Sequence, residues 1–346
     1  MTTQTIASEF LDLARTLPVV DVRSENEFLQ GHIPEAINMP LFNNEERAII
    51  GTLYKNSGRE ASVLKGLEIS GPKLADFVKQ LHKITDQKQI LVHCWRGGMR
   101  SESMAWIFHV AGYEVFVLKN GYKAYRHFIR EALARPANII VLGGLTGSGK
   151  TEILHSLGIK GEQILDLERL ASHKGSVFGG FGLAGQPTNE QFENDIFAEW
   201  QRFDLTKPIW IEDESRMIGT VSIPNPLFEQ MQSSIMTKVE TGKEQRIRRI
   251  VSEYSTIENQ DLETAVLKIS EKLGGANTKK ALNALESGAL QMVADLALSY
   301  YDKAYTHSVM KRQNQQIFPV NIEGSDPVKN ATLILEAAKS LRGINQ

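Results

Sequence analysis

The sequence predicts two α/β domains, the second of which continues into a helical region. Short apolar runs alternate with segments of helical periodicity over residues 18–135, which is typical of a parallel sheet covered by helices. The alternation resumes after Pro136, which breaks a helix. Beyond Pro226 the apolar spacing becomes helical. We therefore place the boundary after residue 135 and predict domains over residues 1–135 and 136–346.

Composition restricts the function classes. The 346 residues include 39 Lys and Arg and 41 Asp and Glu, so the net charge of −2 gives no global sign of nucleic-acid binding and leaves only a local patch open. Cys94 is the only cysteine, which excludes an internal disulfide framework and an internal resolving thiol. The N-terminus lacks a signal-peptide core, and no apolar run approaches the length of a membrane span. We expect a cytoplasmic protein without a membrane partner.

The first domain is organised around the loop that contains this cysteine. The apolar run 90–92 leads to Cys94, a Gly/Arg loop follows, and an apolar-periodic helix begins behind Ser101. This order brings backbone N–H groups and a helix N-terminus to the sulfur, which favours an anion and a thiolate. Arg96 and Arg100 add positive charge. We therefore predict a reactive cysteine rather than a small buried hydrophobic residue.

Three motifs surround that loop in a particular order. Asp21-Val22-Arg23 with Glu27-Phe28 comes first, Gly31-His32-Ile33-Pro34 follows, and the Cys94 loop comes last. Together they resemble a rhodanese domain. The resemblance implies an α/β fold and chalcogen transfer at Cys94, with Arg96 and Arg100 stabilising the anion. His32 is interpreted as a structural residue that bonds within its turn.

The loop departs from the pattern of most sulfurtransferases, which resemble Cys-x-x-x-x-Arg-Ser. Here His93-Cys94 is followed by one additional residue before Arg100-Ser101, and this spacing also resembles cysteine-dependent phosphatases. The longer loop offers room for a phosphate-sized oxyanion. Phosphatase chemistry does not explain Asp21 or the turn at residues 31–34, so chalcogen transfer is favoured. A combined hypothesis has the loop holding a selenophosphate- or thiophosphate-like donor.

The second domain begins with a phosphate-binding pattern. A β-rich run at residues 139–142 leads into Gly144-x-x-x-x-Gly149-Lys150-Thr151, and an apolar helix follows, which is the context that a P-loop requires. Glycines allow backbone N–H groups to wrap phosphate oxygens, and the lysine balances the charge. The predicted phosphate-binding residues are Gly144, Gly147, Ser148, Gly149, Lys150 and Thr151.

Acidic residues follow the next predicted strands. Glu212, Asp213 and Glu214 stand at the C-terminal end of a strand, where α/β sheets bind ligands. Thr151 and Asp213 are predicted to hold Mg²⁺, although strand alternation does not determine which of the three carboxylates points inward. The glycine-aromatic segment at residues 175–188 is predicted to be a substrate lid.

The helical region places cations beside aromatic rings. Arg246, Arg248 and Arg249 share one predicted helix, and another ends in residues 300–305, shortly before Lys311-Arg312. Such groups suit phosphate contact and base stacking, so we predict an RNA-binding surface there, against the alternative of plain solvated helix faces.

The order of both loops, together with Tyr300-Tyr301-Asp302, resembles the tRNA 2-selenouridine synthase family over nearly the whole chain. The predicted fold is thus a rhodanese-like α/β domain followed by a P-loop NTPase-like α/β domain with a helical C-terminal part. The resemblance implies a transferase that converts wobble 2-thiouridine of tRNA into 2-selenouridine. Selenophosphate is then the donor, and geranyl diphosphate alkylates the sulfur beforehand.

The same resemblance implies no tightly bound cofactor, tRNA as partner, and a selenophosphate-producing enzyme as a further partner. Two other function classes remain open. One is a rhodanese-type sulfurtransferase or cysteine-dependent phosphatase fused to a P-loop kinase-like domain, and the other is a regulatory module whose loops only sense ligands. The family interpretation is lost if Cys94 is packed away from solvent and Lys150 also faces no open cradle.

Overall fold

A computed structural model describes residues 2–175, 185–255, 257–312 and 315–343. The chain forms two compact units, Met1–Ala132 and Leu133–Gln346. Within the described residues, no helix has both the length and the apolar character needed to cross a membrane.

A five-stranded sheet forms the centre of the first unit. Its strands are β1 Thr2–Thr5, β2 Val19–Asp21, β3 Ile37–Asn38, β4 Gln89–His93 and β5 Glu114–Leu118. They lie in the order β1-β5-β4-β2-β3, and every neighbouring pair is parallel. The helices are α1 Ala7–Leu13, α2 Glu25–Gln30, α3 Asn44–Ser70, α4 Leu74–Ile84, α5 Met99–Val110 and α6 Gly121–Leu133, with a 3₁₀ turn at Gly71–Lys73.

Strand β4 is central in this sheet, and its apolar run is buried. Ile90, Leu91 and Val92 are fully buried because helices cover a parallel sheet on its two faces. Phe77 and Leu81 on α4 are also buried, as the amphipathic spacing of that helix predicts. The C-terminal end of β4 therefore delivers the cysteine loop to the edge of the sheet where α/β proteins bind ligands.

Two elements of the first unit carry little apolar signal in the sequence. Strand β1 is the polar segment Thr2–Thr5, and it forms because it can pair with β5. Helix α3 begins with a capping box between Asn43 and Glu46 and changes direction at Gly58, which has a φ of +82°.

The second unit also contains a five-stranded parallel sheet. Its strands are β6 Ile139–Gly144, β7 Gln163–Leu165, β8 Ile209–Glu212, β11 Ile235–Glu240 and β12 Ile317–Asn321, and a hairpin of β9 Met217–Ile218 and β10 Val221–Ser222 stands apart. The order is β12-β11-β6-β8-β7. The helices are α7 Lys150–Ile159, α8 Leu167–Leu170, α9 Asn189–Trp200, α10 Asn225–Ser233, α11 Lys243–Tyr254, α12 Asn259–Lys268, α13 Ser270–Leu273, α14 Gly275–Glu286, α15 Leu290–Met310 and α16 Pro327–Gly343.

Strand β6 is fully buried, with Val141 aligned with Ile211 on one side and Met236 on the other. The prediction that the chain is helical beyond Pro226 was wrong for β11. Because Lys238 and Glu240 interrupt its apolar pattern, the pairing of β11 with two buried neighbours decides its structure. Helices α11 to α15 enclose a separate apolar core that includes Leu262, Ala294 and Leu298.

Candidate active sites

The cysteine loop is held by the turn between β5 and α6. The backbone N–H of Tyr122 donates to the carbonyl oxygen of Cys94 at 2.8 Å, and that of Lys123 donates to Trp95 O at 3.1 Å. Gly121 has a φ of +59°, and a Cβ atom there would collide with Cys94 O. Glycine is therefore required by both its backbone conformation and its close approach to the loop.

The Cys94 thiol lies at the base of the loop. Its Sγ atom is 3.2 Å from the hydroxyl of Ser101 and 3.9 Å from Gly98 O, and the residue is only 3% exposed. This burial agrees with the alternative that we did not favour from the sequence, in which Cys94 is a small buried hydrophobic residue. A reactive role therefore requires the loop to open, or a small donor to reach the sulfur from the side of Arg96, which is exposed.

The charge of Arg100 is already paired. Its Nη1 and Nη2 atoms donate to the Glu27 carboxylate at 2.6 Å and 3.2 Å. Burial raises the pKa of Glu27, but the hydrogen bonds and charge of Arg100 outweigh it, so that pKa lies below its usual value. Glu27 also closes the capping box of α2 at Ser24. An anion that uses Arg100 must therefore compete with Glu27.

The upstream motif forms a buried polar cluster. The Arg23 guanidinium donates to Asp21 at 2.6–3.0 Å and to Gly31 O at 2.7 Å, and it lies 3.8 Å from the centre of the Tyr122 ring. His93 Nε2 is 3.7 Å from Asp21, and burial lowers the pKa of His93 to about 4, so its ring is neutral. These motif residues build the scaffold beneath the cysteine loop.

His32 has the structural role predicted for it. Its Nδ1 atom is 3.0 Å from Phe28 O, and its ring stacks on the Phe28 ring at 3.8 Å.

In the second unit, the predicted P-loop connects β6 to α7. Gly147 and Gly149 have φ values of +75° and +84°. A Cβ atom on Gly147 would lie 3.0 Å from Ile250, and one on Gly149 would collide with the guanidinium of Arg249. The positive φ values favour glycine at both positions, and α11 approaches the loop so closely that a larger residue would have to displace Ile250 or the Arg249 side chain.

A cavity of about 300 Å³ opens beside this loop. Five of the six predicted phosphate-binding residues line it: Gly144, Gly147, Gly149, Lys150 and Thr151. The sixth, Ser148, is 1% exposed and lines a different cleft with Leu145. Lys150 thus faces an open cradle, in contrast to the buried thiol of the first unit.

Three glutamates meet in this cavity. Oxygen atoms of Glu168, Glu212 and Glu214 lie within 4.8 Å of one another, and Thr151 Oγ1 donates to Glu168 at 3.3 Å. Burial, followed by the charge of Glu212, raises the pKa of Glu168 to about 8. Burial also raises the pKa of Glu212 to about 7, against the charge of Lys150, and that of Glu214 well above its usual value. Such crowding favours a cation or bound protons.

Asp213, the predicted metal ligand, lines the same cavity but is not part of this carboxylate cluster. Its carboxylate accepts from Arg312 Nη1 at 2.7 Å, in an ion pair whose side chains are 2% and 7% exposed. The strand end therefore turns Glu212 towards the cluster and directs Asp213 to the helical region. Glu214 follows in the cluster, and Glu168 joins it from the first turn of α8.

Part of the RNA surface that we predicted in the helical region is buried, although Arg248 and Lys311 are exposed. Arg246 is 3% exposed, and its guanidinium donates to both oxygens of Asp302 at 2.7 Å. The hydroxyl of Tyr305 accepts from Gly144 N at 3.0 Å. Only Arg248 in that run is largely exposed, at 75% of its side chain. The region therefore folds over the phosphate loop.

The same helices give the cavity an apolar wall. Its lining includes Ile250, Tyr254, Ile257, Tyr301 and Ala304, and Glu253 is the acidic residue among them. Residues 176–184 of the predicted lid lie outside the described residues, while Lys174 and Gly175 line the cavity.

Known protein families match the two units of the chain separately. Residues 4–127 match the family model of the rhodanese-like domain, and residues 137–325 match that of the tRNA 2-selenouridine synthase AAA domain. A protein named tRNA 2-selenouridine synthase from Nitrosomonas eutropha is 32% identical, over 87% of this chain and 90% of its own. The chain belongs to the tRNA 2-selenouridine synthase family.

Other members of the tRNA 2-selenouridine synthase family show the same extent of similarity. The protein of that name from Hydrogenovibrio crunogenus is 30% identical, over 89% of this chain and 94% of its own, and that from Bdellovibrio bacteriovorus is 32% identical, over 88% and 92%. Membership confirms the predicted fold class and the prediction of a transferase enzyme.

Sequence reasoning missed three contributors to the P-loop cavity in this family member. The sequence contained a signal for Glu168, because an acidic residue at the end of a predicted strand lies where α/β sheets bind ligands. Glu214 could not be distinguished in the sequence from its neighbours Glu212 and Asp213. The position of Arg249 against Gly149 had no sequence signal beyond its charge.

Proposed function

We propose that this chain converts 2-thiouridine at the tRNA wobble position into 2-selenouridine, with geranyl diphosphate and selenophosphate as its other substrates. The observation that carries the proposal is the single cavity in which a phosphate-binding loop continues into an apolar wall. The names of the relatives support the tRNA and the selenium product.

The cavity suits a diphosphate that carries an apolar chain. Backbone N–H groups of the loop and Lys150 meet the charged end, while Tyr254, Ile257 and Tyr301 meet the chain. Each buried methylene group contributes about 0.8 kcal/mol to binding, so an isoprenoid chain gains substantially from such a wall.

The first reaction is a substitution at carbon. The thiouridine sulfur forms a bond to C1 of the geranyl group as the C1–O bond breaks, and diphosphate leaves with that electron pair. The base loses its N3 proton to water. Lys150 and the loop N–H groups stabilise the charge on the departing diphosphate, which lowers the barrier for bond breaking.

The second reaction replaces sulfur by selenium. Water breaks the P–Se bond of selenophosphate and gives phosphate and hydrogen selenide. The selenium forms a bond to C2 of the base as the C2–S bond breaks; one proton of hydrogen selenide returns to N3, and the other leaves with the sulfur as geranyl thiol. We assign the selenium donor to the Cys94 loop, with Arg96 and Arg100 holding its oxyanion. Because Sγ is buried and Arg100 is paired with Glu27, donor binding must rearrange this loop.

Mg²⁺ fits the second unit at Thr151, as predicted, together with the carboxylate cluster rather than with Asp213. Glu212 Oε1 is buried and has no hydrogen-bond partner among the described residues, and it lies in the carboxylate cluster. Thr151, Glu168, Glu212 and Glu214 would hold the ion in place of Asp213. A bound Mg²⁺ would neutralise diphosphate charge next to Lys150.

The proposal is tested by nucleoside mass spectrometry on tRNA from cells that lack the gene. Complementation with Lys150→Ala should restore neither geranylated 2-thiouridine nor 2-selenouridine. Cys94→Ala should restore the geranylated nucleoside but not 2-selenouridine, because only the selenium step uses the first unit. A normal 2-selenouridine content in cells without the gene contradicts the proposal.

One observation favours a second candidate function. The spacing from Cys94 to Arg100-Ser101 resembles cysteine-dependent phosphatases, and the Ser101 hydroxyl lies 3.2 Å from the sulfur. A phosphatase fused to a kinase-like P-loop domain predicts ATP turnover by the purified protein without RNA.

A further inference from the structure

Arg249 lies directly against the phosphate loop. Its Nη1 atom donates to Gly147 O at 3.3 Å, and its guanidinium fills the space where a side chain on Gly149 would begin. It lines the same cavity as Lys150 and Thr151. A positive charge is therefore held at the place where phosphate oxygens approach the loop.

Two other arginines of the helical region reach this part of the unit, and both are neutralised. Arg246 forms a two-point ion pair with Asp302, with both distances at 2.7 Å. Arg312 is paired with Asp213 at 2.7 Å, and both side chains are buried. These two pairs join elements of the fold and bring no net charge to the cavity.

Arg249 has weaker carboxylate partners. Its Nε atom is 3.5 Å from Glu152, and the two side chains are 20% and 49% exposed. Its charge also acts on Glu253, which lines the same cavity, but less than burial and the charges of Lys174 and Glu152 do. A partly exposed pair contributes little, because water screens it and side-chain entropy opposes it. The guanidinium can therefore leave Glu152 for a phosphate group.

Lys150 supplies one positive charge at the loop. Its charge also acts on Glu168 and Glu212, and Lys174 lines the same cavity. A diphosphate carries several negative charges, so a further cation that is held against the loop strengthens its binding, whether or not Mg²⁺ is also bound.

We propose that Arg249 is a phosphate-binding residue that holds the diphosphate together with Lys150 and stabilises its charge as it leaves. A guanidinium presents paired N–H donors that match phosphate oxygens. This inference rests on the proposed function, because it assumes that the P-loop cavity binds the diphosphate of the alkylating substrate.

The test compares four variants of the full chain by titration calorimetry with inorganic pyrophosphate. Arg249→Ala should bind pyrophosphate about 10- to 100-fold more weakly, the usual loss for a charge-assisted contact. Arg249→Lys should fall between this variant and the wild type, because it keeps the charge without the paired donors. The matched control is Arg248→Ala on the same helix, which should bind within about twofold of the wild type because its side chain is 75% exposed.

The fourth variant, Lys150→Ala, separates the two proposals. If it loses pyrophosphate binding while Arg249→Ala keeps wild-type affinity, the role of Arg249 is overturned and the proposed function stands. If Lys150→Ala binds normally, the phosphate-binding role of the loop itself is overturned.

Steady-state geranylation adds a readout that a merely structural role would not change. Arg249→Ala should lower kcat as well as raise the KM for geranyl diphosphate, because the negative charge on the leaving group grows during the reaction. Equal thermal melting of Arg249→Ala and Arg248→Ala shows that folding is intact. A lowered melting temperature of Arg249→Ala with unchanged pyrophosphate affinity and kcat would overturn the proposal.

Discussion

Replacing Glu212 by Gln should stabilise the metal-free protein, and the gain should grow with pH. Burial raises the pKa of Glu212 from 4.5 to about 7, so the folded state holds a proton that the unfolded state releases. The free energy of unfolding therefore falls as the pH rises between these two values. A shift of this size corresponds to about 3 kcal/mol, and glutamine removes this loss because it carries no charge.

Urea unfolding in EDTA at pH 5 and pH 8 measures the effect. Most of the advantage of Glu212→Gln over the wild type should be present at pH 8 and only about a quarter of it at pH 5, because pH 5 lies just above the pKa of 4.5 in the unfolded state and well below the pKa of about 7 in the folded state. Glu229→Gln on α10 is the control, since that side chain is exposed and the substitution should have no pH-dependent effect.

Mg²⁺ should reverse the order of the two proteins. The wild type should gain stability from Mg²⁺ because the ion binds only the folded carboxylate cluster, and Glu212→Gln should gain much less. An advantage of Glu212→Gln that is equal at pH 5 and pH 8 would refute the reasoning. A loss of stability at pH 8 without metal would refute it as well, because it would mean that the carboxylate is already satisfied.

Two further predictions concern the cysteine loop. Iodoacetamide should alkylate Cys94, which is 3% exposed, at least about tenfold more slowly than it alkylates glutathione. Thiophosphate should speed this alkylation if donor binding opens the loop. Equal rates with and without thiophosphate would contradict the opening. Gly121→Ala should lower the stability of the first unit by more than about 2 kcal/mol, because its φ is +59° and the new Cβ would collide with Cys94 O. The matched control is Gly112→Ala, because Gly112 has a φ of +89° and no neighbouring atom within 4 Å of the new Cβ. It should lower the free energy of unfolding by only about 1 kcal/mol, measured by thermal unfolding. Similar losses of stability in the two variants would show that the close approach to Cys94 O is unimportant.

Local patterns made part of the second unit predictable. The P-loop is specified by residues close together in the chain, and five of its six predicted residues line one cavity. A strand, a glycine-rich turn and a helix that follow one another directly leave few other arrangements. The side chain of Ser148 instead faces a second cleft together with Leu145, and the spacing of the glycines does not reveal this division of the turn.

Contacts between distant residues were not predictable in the same way. Arg246 and Asp302 are 56 positions apart, and Arg312 and Asp213 are 99 positions apart. From composition alone these arginines resemble an RNA-binding surface, because their carboxylate partners lie in other segments. The carboxylate of Asp213 was assigned to a metal for the same reason. Strand β11 was missed for a similar reason. Its charged residues interrupt the apolar pattern of a strand, and its structure depends on pairing with neighbours that are distant in the sequence.

The ion pair Arg312–Asp213 connects the end of α15 to the end of β8, and both of its side chains are buried. Breaking it leaves an uncompensated charge away from water, at a cost of about 3–5 kcal/mol. The pair Arg246–Asp302 joins α11 to α15 but costs less to break, because Asp302 is 28% exposed and water can reach it. The helical region is therefore anchored to the sheet most firmly beside the carboxylate cluster, and any movement of these helices during a reaction is expected to begin at α11.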